Sequence, residues 1–154
     1  MVVYPSYFKS WFLTREGYIL PMKIDRLLGQ WRIHRTITSE NGEVLGRMEG
    51  IGEFIPDEEG ALYREEVAHT TDKGQIFQAK KAYRYSGNKS GLKIYFHGEE
   101  QNRLFMTLGK DLQGEMWCKK DHYHQRWEVF GQGHIRMECK VQGPKKKCYD
   151  TQRV

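Results

Sequence analysis

The feature that most constrains this chain is strict period-two alternation in Leu28-Gly29-Gln30-Trp31-Arg32-Ile33-His34-Arg35-Thr36-Ile37. Successive side chains of an extended strand point to opposite faces. Trp31, Ile33, Arg35 and Ile37 therefore share one face, and Gln30, Arg32, His34 and Thr36 share the other. The first face is apolar except for Arg35. A guanidinium left alone on a core face is costly, so Arg35 must be paired or must meet something polar.

The same alternation returns along the rest of the chain between turn signals. Strands are predicted at Gly46 to Phe54, Ala61 to His69, Ile76 to Tyr85, Leu92 to Phe96, Arg103 to Leu108, Glu115 to Lys119, His122 to Phe130 and His134 to Val141. Glu40-Asn41-Gly42, Asp57-Glu58-Glu59-Gly60, Thr71-Asp72-Lys73-Gly74 and Ser86-Gly87-Asn88-Lys89-Ser90-Gly91 supply the breaks. Gly50 and Gly52 on one face predict strong curvature. No segment after Met22 sustains a helical apolar stripe, although Pro21 to Leu28 can form a short helix that plugs one end. Neighbouring hairpins leave no obvious crossover, and closure removes exposed edges. The fold expected is therefore all-β, an antiparallel up-and-down β-barrel of roughly eight to ten strands.

A chain of 154 residues suits one domain with a substantial core. The division expected is an extension over residues 1–26, lying across one end, and a barrel over residues 27–154. The N-terminal aromatics Tyr4, Tyr7, Phe8, Trp11 and Phe12 are interrupted by Pro5, Lys9 and Arg15, too often for a signal peptide or a membrane span. The net charge is +5, but basic residues interleave with Glu and Asp. The one compact basic run, Lys145-Lys146-Lys147, reads as a solvated loop, so no nucleic-acid partner is expected. Cys118, Cys139 and Cys148 are odd in number and lack a C-x-x-C spacing. Free thiols and a cytoplasmic location are the simpler expectation.

Counting by two along each strand gives an inward set with polar members. Arg35 lies beside Trp31; Glu65 lies between Tyr63 and Val67; Lys81 and Tyr83 continue a face begun by Phe77 and Ala79. Asp121, Tyr123, Gln125 and Trp127 share a face, and Met137, Cys139 and Val141 form the neighbouring one. Arg35, Glu65, Lys81, Tyr83, Asp121, Tyr123 and Trp127 are thus the candidate ligand-binding residues. Cations can hold a carboxylate or phosphate while aromatic walls cover an apolar remainder. The competing expectation is a filled barrel in which Arg35/Glu65 or Lys81/Asp121 are closed ion pairs that bind nothing.

Two sets of motifs carry a resemblance. Gly29-x-Trp31 opening the first strand resembles the signature of lipocalins and related calycin barrels. Leu28-Gly29-x-Trp31-x-x-x-Arg35, Leu62-Tyr63-x-Glu65, Cys118-x-x-Asp121-x-Tyr123, Val141-x-Gly143-Pro144-x-Lys146 and then Thr151 together resemble a widespread domain of unknown function with a lipocalin-like barrel. That resemblance runs from about Leu28 to the C-terminus and implies a fold without an established activity. Met106 and Met116 stand where the family pattern has histidines, and Lys81 where it has arginine, which weakens any transfer of metal or acid–base chemistry. The calycin resemblance also implies a late cation such as Arg153 over Trp31. It raises a haem-binding barrel as well, with an inward histidine near the C-terminus; the nearest, His134, alternates outward.

Catalytic signatures are missing from the sequence. His34, His122, His124 and His134 fall on outward faces, and His69 and His97 sit near strand ends. His122-x-His124 lacks an evident third metal ligand, and no histidine is placed beside Cys118. There is no glycine-rich phosphate loop and no Gly-x-Ser-x-Gly elbow. The function expected is binding of an amphipathic or anionic small molecule inside the barrel, with no cofactor assigned and oligomeric state open. An enzyme acting on a ligand at the same cluster, a haem barrel and a ligand-free interaction module are the alternatives.

Overall fold

A computed structural model describes residues 2–7, 24–88, 90–98, 103–130 and 134–143. These contain ten strands and one 3-10 turn: β1 (Val2–Tyr7), the turn (Ile24–Arg26), β2 (Gly29–Thr38), β3 (Val44–Asp57), β4 (Gly60–Thr71), β5 (Ile76–Asn88), β6 (Gly91–Phe96), β7 (Leu104–Leu108), β8 (Gln113–Cys118), β9 (Asp121–Phe130) and β10 (His134–Gln142). All the pairings are antiparallel and build one sheet in the order β7-β6-β5-β4-β3-β2-β1-β10-β9-β8.

Strand β1 is what joins the two halves. It pairs with β2 on one side, Pro5 opposite Arg35, and with β10 on the other, Val3 opposite Cys139. Residues 2–7 therefore belong to the sheet, whereas the sequence reading places them in an extension across one end. Pro5 is the reason the strand is illegible: proline cannot donate to a ladder and normally argues against an interior strand.

The outermost strands, β7 and β8, share no ladder, so strand pairing does not close the sheet into the expected barrel. They are nevertheless consecutive in the chain and joined by a tight turn. The Leu112 N–H donates to the Gly109 carbonyl and the Gly109 N–H to the Gln113 carbonyl, both at 2.9 Å. At Gly114 the two strands come so close that a Cβ would lie 2.0 Å from the Thr107 carbonyl oxygen.

Alternation sets the core as expected. Trp31, Ile33, Arg35 and Ile37 are buried along β2, and Ala61, Tyr63, Glu65, Val67 and His69 along β4. Gly50 and Gly52 allow β3 to lie close to its neighbours. A Cβ on Gly50 would meet the Glu66 carbonyl oxygen at 2.0 Å, and one on Gly52 would meet the Tyr63 ring at 2.8 Å. One end of the interior is covered by the 3-10 turn, which falls inside the segment expected to be helical. Leu27 is fully buried there, and its carbonyl accepts the Trp31 indole N–H at 2.6 Å.

Strand β5 is flanked unequally. It pairs with β4 from Ile76 to Tyr85 but with β6 only from Tyr83 to Asn88. Along Ile76 to Ala82 its other edge therefore has no strand neighbour among the described residues. Among these residues no helix is long and apolar enough to cross a membrane.

Candidate functional site

The register brings Arg35, Glu65 and Lys81 together from β2, β4 and β5. Glu65 lies opposite Gly52 on one side and Lys81 on the other, and Arg35 lies opposite Met48. The guanidinium of Arg35 on β2 reaches across β3 to Glu65 on β4. The two form a bidentate pair, with Nη1 2.9 Å from Oε1 and Nη2 3.0 Å from Oε2. Arg35 Nη1 also meets the Met48 sulfur at 3.3 Å. The Tyr63 ring lies over Gly52, and its hydroxyl donates to Glu65 Oε2 at 2.5 Å. Lys81 Nζ stands 3.5 Å from Glu65 Oε1, at ion-pair distance rather than in a short hydrogen bond.

Charge and burial then determine protonation. Burial acts to raise the Glu65 pKa, but the Arg35 and Lys81 charges and the hydrogen bonds from Arg35 and Tyr63 outweigh it and hold the carboxyl at about 2. Burial, reinforced by the Arg35 charge and opposed by Glu65, brings Lys81 down to about 8. Burial pushes the Cys139 thiol up to about 11, against the pull of Lys81 and Arg35. It also raises the Tyr83 phenol well above its ordinary value. At neutral pH the group is one carboxylate between two cations, with a neutral phenol and a neutral thiol nearby. Its net charge is positive.

An aromatic wall continues from the cluster. Tyr83 stacks on Phe105 with centroids 5.5 Å apart, Phe105 meets Tyr123 at 6.1 Å, and Tyr85 meets Trp127 at 6.1 Å. The Tyr83 hydroxyl and the Trp127 indole N–H are buried and have no hydrogen-bond partner among the described residues. A buried donor without a partner costs about 1–3 kcal/mol, so each of these two is a place where a bound acceptor would be favoured.

Of the seven residues predicted from sequence, Arg35, Glu65, Lys81 and Tyr83 meet in one cluster, and Tyr123 and Trp127 belong to the adjoining wall. Asp121 is buried too, but at the β8–β9 turn, so close to Gly143 that a Cβ there would lie 2.0 Å from Oδ1. Sequence reasoning did not single out Met48, Tyr63 and Cys139 as site members. For Tyr63 and Cys139 the signal was their inward parity, and for Met48 it was the β2–β3 register, which no strand reveals alone.

The thiol expectation needs correction: Cys118 is disulfide-bonded, while Cys139 is free. The geometry keeps these two apart. Cys118 lies opposite Asp121 and Cys139 opposite Gln125, four residues along β9 or roughly 13 Å, beyond disulfide reach. A disulfide at Cys118 is a bond that an oxidising rather than a reducing environment favours. His134 precedes the buried Ile135 and has the opposite, outward parity. Among the described residues no three His, Cys, Asp or Glu side chains are grouped to hold a metal ion. Lys146, Thr151 and Arg153 lie outside the described residues.

A family model described as "Family of unknown function (DUF6314)" matches residues 27–152. The chain belongs to this family. The DUF6314 match takes in all the strands from β2 to β10 and every residue of the cluster. A search of curated proteins finds no match.

Proposed function

We propose that this DUF6314 protein binds an anionic, amphipathic small molecule in the interior of a lipocalin-like barrel. The observation that carries the reading is the imbalance of the buried cluster: two cations share one carboxylate, and the hydroxyl of Tyr83 and the indole N–H of Trp127 find no acceptor among the described residues. An anion would supply the missing charge and an acceptor, and the aromatic wall would cover its apolar part. Barrel closure is supported by the tight β7–β8 turn and the close approach of Thr107 to Gly114.

Native mass spectrometry of protein purified from cells tests this reading. The expected result is a non-covalent adduct that acid releases as an organic acid. Protein at its bare mass, together with no rise in melting temperature across a panel of organic acids, would favour the filled barrel instead.

A further inference from the structure

We infer that the ligand's anionic group is a carboxylate held by Lys81 and Tyr83, not by Arg35, and that it enters along the half of β5, Ile76 to Ala82, whose edge away from β4 has no strand neighbour among the described residues. The inference rests on the interior-binding reading above and assigns its anchor and its entrance.

Arg35 is already committed. Both terminal guanidinium nitrogens are used by Glu65, and its side chain is 5% exposed. Replacing Glu65 by a ligand would strand a carboxylate that burial strongly penalises when alone. Lys81 differs on each count. Its ammonium has three donors, yet it makes one ion pair at 3.5 Å, it lies 5.7 Å from the Tyr83 ring centroid, and its side chain is 23% exposed. Tyr83 is two residues further along the same face, with its hydroxyl buried and without a partner among the described residues. An ammonium and a phenol on one strand face offer two donors to the two oxygens of one carboxylate. Arg35 is then a positioning residue: it fixes Glu65, and Glu65 fixes Lys81.

The entrance is read from exposure along that face. Phe77 has inward parity, yet it is 53% exposed. Lys81 is intermediate, and Tyr83 is 5% exposed. Exposure on this face thus falls from Phe77 through Lys81 to Tyr83, and the inferred path runs inward in that order. This is the half of β5 that has no β6 neighbour among the described residues.

The test uses 2-naphthoate and its uncharged counterpart 2-naphthalenemethanol, read by quenching of tryptophan fluorescence. Wild-type protein should bind the carboxylate at least tenfold more tightly than the alcohol. Lys81→Met should bring that ratio near one while alcohol binding persists, and Tyr83→Phe should reduce it severalfold. A second measurement on unmodified protein covers the case in which the variants do not fold. Reductive methylation of Lys81, followed by peptide mass spectrometry, should be slowed by 2-naphthoate and not by the alcohol. Full discrimination in folded Lys81→Met, or methylation unaffected by bound carboxylate, overturns the Lys81 anchor and leaves interior binding standing. Failure of wild-type protein to bind either compound overturns both.

Discussion

Glu65 is the residue on which the buried charges depend, because it accepts from Arg35 and Tyr63 and faces Lys81 at once. Arg35→Ala should destabilise the protein by about 3–5 kcal/mol in urea unfolding, since it leaves a buried carboxylate short of its main partner. The pH dependence has a definite sign. Glu65 is held at about 2 against 4.5, so between these values the unfolded chain binds more protons than the folded one. Its stabilisation is complete above pH 4.5 and is lost as pH falls toward 2; Glu65→Gln should flatten that part of the stability curve. Lys81 is lowered from 10.5 to about 8, so the unfolded chain again holds the extra proton between these values. Its contribution therefore raises stability as pH climbs from about 8 toward 10.5, and Lys81→Met should remove that rise in urea melts compared at pH 7.5 and 10.

At the scale of the element, the strands were legible wherever one face is buried, because burial enforces the period of two. Strands β2, β4 and β9 follow from their alternation, and with them the positions of Arg35, Glu65, Tyr123 and Trp127. Alternation is a local signal, however, and does not say which neighbouring strand stops short. Phe77 shows the difference: parity assigns it to the core, but the absence of β6 beside this half of β5 leaves it half-exposed. Phe77→Ser should accordingly cost less than about 1 kcal/mol, whereas Tyr83→Ser, at a buried position of the same face, should cost about 3 kcal/mol or more. Thermal or urea unfolding of the two variants compares them directly. Gly52→Val would drive the Tyr63 ring away from Glu65, so it should lower stability by about 2 kcal/mol or more, although Gly-to-Val at an ordinary strand position is favourable.

Over the whole molecule, the antiparallel meander was readable from turn chemistry, but the way its halves meet was not. The junction is β1, whose proline disguises it, and it sets Arg35 of β2 on the same side of the sheet as Cys139 of β10. Convergence of Arg35, Glu65, Lys81 and Tyr83 was legible because one parity rule governs the four adjacent strands β2 to β5. Asp121 obeys that rule too, but it lies at the end of its strand, where parity says nothing about distance along the axis. The DUF6314 match and the sheet agree in extent, with the matched segment beginning at Leu27, whose carbonyl holds Trp31. The most direct test of interior binding is the indole N–H resonance of Trp127 in a proton–nitrogen correlation spectrum, assigned with Trp127→Phe and followed as 2-naphthoate is added. The account predicts that this resonance shifts saturably while that of Trp117, 66% exposed on the outer face of β8, stays in place. A spectrum in which Trp117 moves and Trp127 does not would place the ligand on the outside of the sheet and contradict the account.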